Sequence, residues 1–164
     1  MQTFLPYPDD FRRSALALDH KRLGKQRVET LQLLNSLTGV RSGWRQHPAL
    51  RMWVGYEAQL VRYGVAICDE WIQRGFKDTC RDKILDHLPV VLACRLESEA
   101  DEDPMWVRLS YERKRLGSSH RWMLHQKSPG DYPQFCQQPE PEGGGYFWPQ
   151  GCSYRKAIWD LVES

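Results

Sequence analysis

Apolar residues recur with helical spacing along much of this chain. The clearest run lies between about Pro48 and Arg74, where positions 53, 54, 60, 61, 64, 65, 67, 68, 71 and 72 keep the period. Pro48 suits a first helical position and Gly75 a position just past a helix end. The pattern therefore predicts one long central helix. Ahead of it, Asp19 is a capping residue for a helix reaching about Leu37, with Leu23, Thr30, Leu34 and Leu37 turned to a core. A shorter helix precedes it from Phe11 to Leu18. Gly24, in the second turn of the Asp19-capped helix, predicts a close approach by another backbone, a ligand or a crossing helix.

The remaining segments are less regular. "MQTFLPYP" is apolar, and Pro6 and Pro8 predict an extended N-terminal arm packed on the body. "TGVRSGWRQHP" reads as a loop. Asp78 or Thr79 is placed to cap a short helix ending near Asp86, and "LPVVLACRL" fits either a buried helical turn or a strand. The five acids between Glu97 and Asp103 read as a solvated loop. Residues from about Val107 to Gln126 predict one or two helices, with a break expected at Gly117. The tail "QQPEPEGGGYFWPQGCSYRKAIWDLVES" predicts a loop and then a helix from Tyr154. No internal repeat or domain boundary is visible. The expected fold is mainly α: a single compact helical domain over residues 1–164, with the extended arm at one end and a loop-rich, aromatic C-terminal region at the other.

Charge changes this picture. The net charge is only +2, but residues 1–51 hold nine Lys or Arg against four acids, and residues 105–127 hold six against one. Basic segments interleaved with aromatics suggest an anionic partner, with nucleic acid foremost, although solvated helix faces give the same composition. The five cysteines contain no C-x-x-C pair, and no leader, lipidation signal or membrane-length apolar run is present. The expectation is a cytoplasmic, reduced, monomeric chain with inert thiols, without cofactor or metal; the Cys and His spacing does not support a zinc site.

The candidate chemistry sits on the first long helix. In "LDHKRLGKQRVETLQLL", Arg22, Lys25, Gln26 and Glu29 stand at i, i+3, i+4 and i+7 and form one stripe. A carboxylate among cations can stabilise a developing positive charge, orient a nucleophile or move a proton. The same spacing also describes an ordinary surface network of ion pairs.

"LDHKRLGKQRVE", followed by a long helix ending "CDEWIQRGFKDT", resembles the pyrimidine-dimer DNA glycosylases, the endonuclease V-type repair family. The likeness covers roughly the first half of the chain. Arg74-Gly75-Phe76 and Lys77-Asp78-Thr79 reproduce the family's turn in slightly shortened form. The resemblance implies a compact, mainly helical, metal-free enzyme. Its N-terminal α-amine attacks C1′ of the damaged nucleotide, forms a Schiff base and then nicks the strand. It implies that Glu29 assists the sugar chemistry and that Arg22, Lys25 and Arg27 hold flanking phosphates. Val28 stands directly before Glu29, where the family pattern has Arg. Gln2 should also block removal of Met1, so the candidate amines are the Met1 α-amine, Lys21 and Lys25. A free α-amine has a pKa of about 7.7–8.0 and needs no burial to be partly neutral at physiological pH, whereas a lysine needs its pKa lowered.

Further DNA contacts are expected from His20, Lys21 and Gln26 on the helix, from Arg45 and His47 in the loop, and from His120, Arg121, Lys127 and Tyr132 in "SSHRWMLHQKSPGDYPQF". Tyr146, Phe147 and Trp148 are candidates to insert into a duplex or cover a flipped nucleotide; core packing is the alternative role for each aromatic. His87 and His125 are expected to be structural. The expected function is excision of a damaged or modified pyrimidine, with AP-lyase activity as a possible second step. The alternatives are a non-catalytic nucleic-acid-binding protein of the same fold and a helical protein-interaction domain.

Overall fold

The computed structural model describes residues 2–164, and among them every regular element is helical. Two long helices form the frame. Helix α2 (His20–Leu37) crosses α4 (Glu57–Gln73), with α1 (Phe11–Ala17) also packed on α4. Small residues set the crossing. A Cβ at Gly24 would meet the Trp71 ring at 2.9 Å, and one at Gly64 would lie 2.7 Å from Thr30 Cγ2. The close approach expected at Gly24 is therefore a helix contact.

The single helix expected from Pro48 to Arg74 is broken. It becomes α3 (Pro48–Arg51) and α4, separated by a turn at Gly55 with φ of +86°. The Glu57 carboxylate accepts from Gly55 N at 2.9 Å and from the Arg95 guanidinium at 3.0 and 2.9 Å, with both side chains buried. Cys152 N donates to Val54 O at 2.8 Å, so the C-terminal tail covers the turn. Periodicity survives the break because Met52, Trp53 and Leu60 all face one core.

Beyond α4, α5 (Arg81–Leu85) begins where Asp78 accepts from Cys80 N and Arg81 N, and "LPVVLACRL" contributes the helix α6 (Leu88–Cys94). The acidic run is not a bare loop. It forms α7 (Glu97–Ala100), and arginines pair with its carboxylates: Arg155 with Glu99 and Glu102, Arg108 with Glu102, and Arg62 with Asp101. Next come α8 (Met105–Arg108) and α9 (Ser110–Lys127). Helix α9 runs unbroken through Gly117, because that glycine seats the arm: its Cβ would lie 3.1 Å from Pro6 O and Pro8 Cδ. A 3₁₀ turn at Pro133–Phe135 follows, and the last helix, α10 (Ile158–Val162), starts four residues later than expected. Arg155, in the intervening segment, turns inward to Gly55 O.

The aromatic supply largely enters the core. Trp53, Trp106, Tyr63 and Tyr132 are fully buried, and Trp53 meets Trp106 edge-on at 5.1 Å. Thr3, Phe4 and Leu5 of the arm are buried as well, between α2 and α9.

Candidate functional site

The site begins with the cap of α2. Asp19 Oδ1 accepts from Lys21 N at 3.0 Å and Arg22 N at 3.1 Å, satisfying amides the helix cannot. Its Oδ2 accepts from Arg22 Nη1 at 2.8 Å and from the Tyr132 hydroxyl, which in turn accepts from Asp19 N at 3.0 Å. Burial pushes this carboxyl up, but the hydrogen bonds from Tyr132 and Arg22 outweigh it and hold the pKa at about 2. The start of the basic stripe is thus fixed by a residue from beyond α9.

Two turns along, Gln26 is fully buried and uses its amide in four directions. Oε1 accepts from Phe4 N at 3.0 Å and lies 2.6 Å from the Tyr63 hydroxyl. Nε2 donates to Gln2 O at 3.0 Å and to Glu29 Oε2 at 2.7 Å. The backbone N–H and the backbone carbonyl leave only one orientation for this amide. The Gln26 side chain therefore ties the first described residue of the arm to the Glu29 carboxylate.

Glu29 is itself buried, with 6% of its surface exposed, and Lys25 Nζ stands 3.7 Å from its Oε1. Other elements bring charge to the same place. Lys127, at the end of α9, sits 5.1 Å from the Tyr146 ring and 5.9 Å from that of Phe4. Burial lowers its pKa, nearby Arg22 and Lys25 lower it further, and Glu29 opposes them. His47 Nδ1 caps α3 by accepting from Ala49 N at 3.1 Å; burial lowers its pKa and Glu29 raises it. Tyr146 is pushed well up by burial, with Arg22 and Glu29 acting on it in opposite senses. Glu29 therefore lies within electrostatic reach of Lys25, His47, Lys127 and Tyr146.

The residues expected to contact DNA fall into distinct environments. His20, Lys21 and Lys25 are exposed, and Arg22 is partly so. Arg27 is turned inward, paired with Asp78 at 2.5 Å and stacked 4.3 Å over Trp71. Arg45 pairs with Glu163 and lies over Trp159. Gln26, His120 and Tyr132 are buried, so they support the surface from beneath. His120 Nδ1 accepts from Leu5 N at 2.9 Å, and burial takes its pKa down to about 3. Arg121 is half-buried and donates to Pro6 O and Gln138 Oε1. The Met1 α-amine lies outside the described residues. His87 and His125 take structural partners, the Thr38 hydroxyl and the Tyr132 carbonyl respectively.

Tyr63 is a site residue that sequence reasoning missed. It lies outside the apolar positions that define the predicted helix, and nothing in one sequence signals that its hydroxyl reaches Gln26 on another helix. Among the described residues, no group of three His, Cys, Asp or Glu converges as a metal site requires, and the five cysteines are unpaired. No helix is long and apolar enough to cross a membrane. A cavity of about 1120 Å³ lies elsewhere. Its lining includes Val61, Val65, Asp69 and Ile72 of α4, whereas Tyr63, Gly64 and Trp71 face α2. It includes none of Glu29, Lys25 and Lys127.

A family model described as pyrimidine dimer DNA glycosylase matches residues 1–84, which contain the arm, α2 and α4. No curated protein and no solved structure matches.

Proposed function

Since the chain belongs to the pyrimidine dimer DNA glycosylase family, we propose that it is a DNA repair glycosylase whose reacting centre is the Glu29 carboxylate. An amine of the chain attacks C1′ of the damaged nucleotide. The N–C1′ bond forms as the bond to the base breaks, and the base leaves with the bonding pair and takes up a proton. The nitrogen lone pair then opens the C1′–O4′ bond, and the proton lost by the amine passes to O4′, which gives the Schiff base. Removal of a C2′ proton then expels the 3′ phosphate and nicks the strand.

A buried carboxylate at this point has two uses. It stabilises positive charge developing on the sugar, and it accepts the proton of the attacking amine. The observation that carries the reading is the amide of Gln26, which holds Glu29 Oε2 at 2.7 Å and Gln2 O at 3.0 Å at once. Gln2 and the carboxylate belong to one hydrogen-bonded unit. Lys25, 3.7 Å from Glu29, is the alternative amine on the same helix, with Lys21 beyond it. Arg22, Lys25 and Lys127 supply positive charge for the flanking phosphates.

Borohydride trapping on a duplex with one abasic site tests this. The expected result is a covalent adduct with the native chain, lost in Glu29→Gln at unchanged melting temperature, with peptide mapping identifying the amine. Absence of an adduct from the native chain sinks the lyase step. An adduct that survives Glu29→Gln removes Glu29 from the chemistry.

A further inference from the structure

The Gln26 amide that holds Glu29 has two further partners in the arm, Phe4 N and Gln2 O. These decide which way the amide faces. They do not decide where it stands, because the arm is itself fastened through that amide and the two could shift together. The remaining partner comes from the frame. The Tyr63 hydroxyl, on α4, lies 2.6 Å from Gln26 Oε1 and 2.9 Å from Phe4 O. We propose that Tyr63 is the positioning residue of the reacting centre: it ties the Gln26 amide and the arm to α4, and through the amide it sets where the Glu29 carboxylate stands. The assignment rests on the reading of Glu29 given above.

The contacts run in series without a gap. Tyr63 Oη lies 2.6 Å from Gln26 Oε1, and Gln26 Nε2 lies 2.7 Å from Glu29 Oε2. Hydrogen bonds in such a chain polarise one another, so a hydroxyl donating to the amide oxygen makes the amide nitrogen a better donor to the carboxylate.

The hydroxyl is also held from behind. Tyr63 is fully buried, and its ring meets Phe11 edge-on at 5.6 Å and Trp53 at 5.9 Å. Trp53 is closed in turn by Trp106 at 5.1 Å. A phenol has few torsions to lose, and core packing on this scale leaves its oxygen one place to be. Burial pushes the phenol well above its ordinary pKa, and the Glu29 charge pushes the same way. The hydroxyl therefore keeps its proton and remains a donor. Because it is buried, it meets neither DNA nor solvent. Its loss should register in the rate of the chemistry and not in the binding of the duplex.

The test uses Tyr63→Phe, which keeps the ring and removes the oxygen. Two quantities are measured on a duplex with one abasic site: affinity, and the rate of borohydride-trapped adduct formation at saturating protein. Ile158→Val, in the separate cluster of Ala58, Val91 and Ala100, is the stability control. Tyr63→Phe should form the adduct about 10- to 100-fold more slowly, with affinity hardly changed. Ile158→Val should form it at the native rate. A native rate in Tyr63→Phe overturns the assignment, and if Glu29→Gln still abolishes the adduct the Glu29 reading stands. Weaker binding at an unchanged rate overturns it too. So does an equal loss of rate in Ile158→Val, which would mark lost stability, and so does a Tyr63→Phe chain that fails to fold, since the hydroxyl is then structural. A native chain that forms no adduct overturns the lyase step and the positioning role together.

Discussion

Gln26 Nε2 lies 2.7 Å from Glu29 Oε2, and the same side chain is the point where the N-terminal arm is fastened to α2. Holding the Glu29 carboxylate and docking the arm are thus two tasks of one amide.

Gln26→Leu tests that coupling. The variant fills a similar volume but leaves Phe4 N and Gln2 O without their partner and takes the amide donor from Glu29. Each buried polar group so abandoned costs about 1–3 kcal/mol. A loss of several kcal/mol is expected by urea denaturation, together with loss of abasic-site trapping. Gln26→Glu should be worse at neutral pH than at acid pH, because it sets a second carboxylate against Glu29.

Tyr132→Phe should act on the start of α2. Its hydroxyl donates to Asp19 Oδ2 and accepts from Asp19 N. Removing it should cost about 1–2 kcal/mol near neutral pH. The Asp19 carboxyl, held at about 2 in the native chain, should titrate nearer its ordinary value. NMR titration of that carboxyl reads the shift directly, and an unchanged pKa would remove Tyr132 from the cap.

His120 makes stability fall in mild acid. Its pKa is about 3 when folded and about 6.5 when unfolded, so the unfolded chain takes up the proton first. The contribution is fully present above about pH 6.5 and is lost as pH falls toward 3, with a limiting slope of about 1.4 kcal/mol per pH unit. His47 and His87, also lowered by burial, act in the same direction. Urea denaturation at several pH values between 7.5 and 4.5 should show this fall. His120→Asn should be less stable at pH 7.5, since Leu5 N loses its acceptor geometry, yet flatter with pH; an equal slope in both proteins would contradict the account.

Lys25 and Lys127 are expected to be phosphate contacts that the fold can spare. Alanine at either should reduce the magnitude of the log–log salt slope of duplex binding by about one, and the double variant by about two. Melting temperatures should hardly move, because Lys25 is three-quarters exposed and Lys127 lies at a helix end. An unchanged slope would place the DNA on another face.

What the sequence discloses depends on how far apart the partners are. The Asp19 cap and the stripe from Arg22 to Glu29 rest on neighbours within two turns, and their spacing is legible directly. The break at Gly55 is hidden, because the reasons for it, Cys152 and Arg155, lie about a hundred residues away while the apolar period runs on undisturbed. His120 and Tyr132 look like surface residues by type. They are interior because one accepts from the arm and the other clamps a helix start. The acids between Glu97 and Asp103 look solvated until the arginines that meet Glu99, Asp101 and Glu102 are placed.

The arm is anchored by backbone groups of Gln2, Phe4, Leu5 and Pro6, each held by a side chain of α2 or α9. Core burial restricts side-chain identity at Thr3, Phe4 and Leu5, and the backbone anchors restrict chain length as well. An affinity tag at this terminus would pull on a segment tied through Gln26 to Glu29, so an assay preparation should carry its tag at the other terminus or have it removed without a scar.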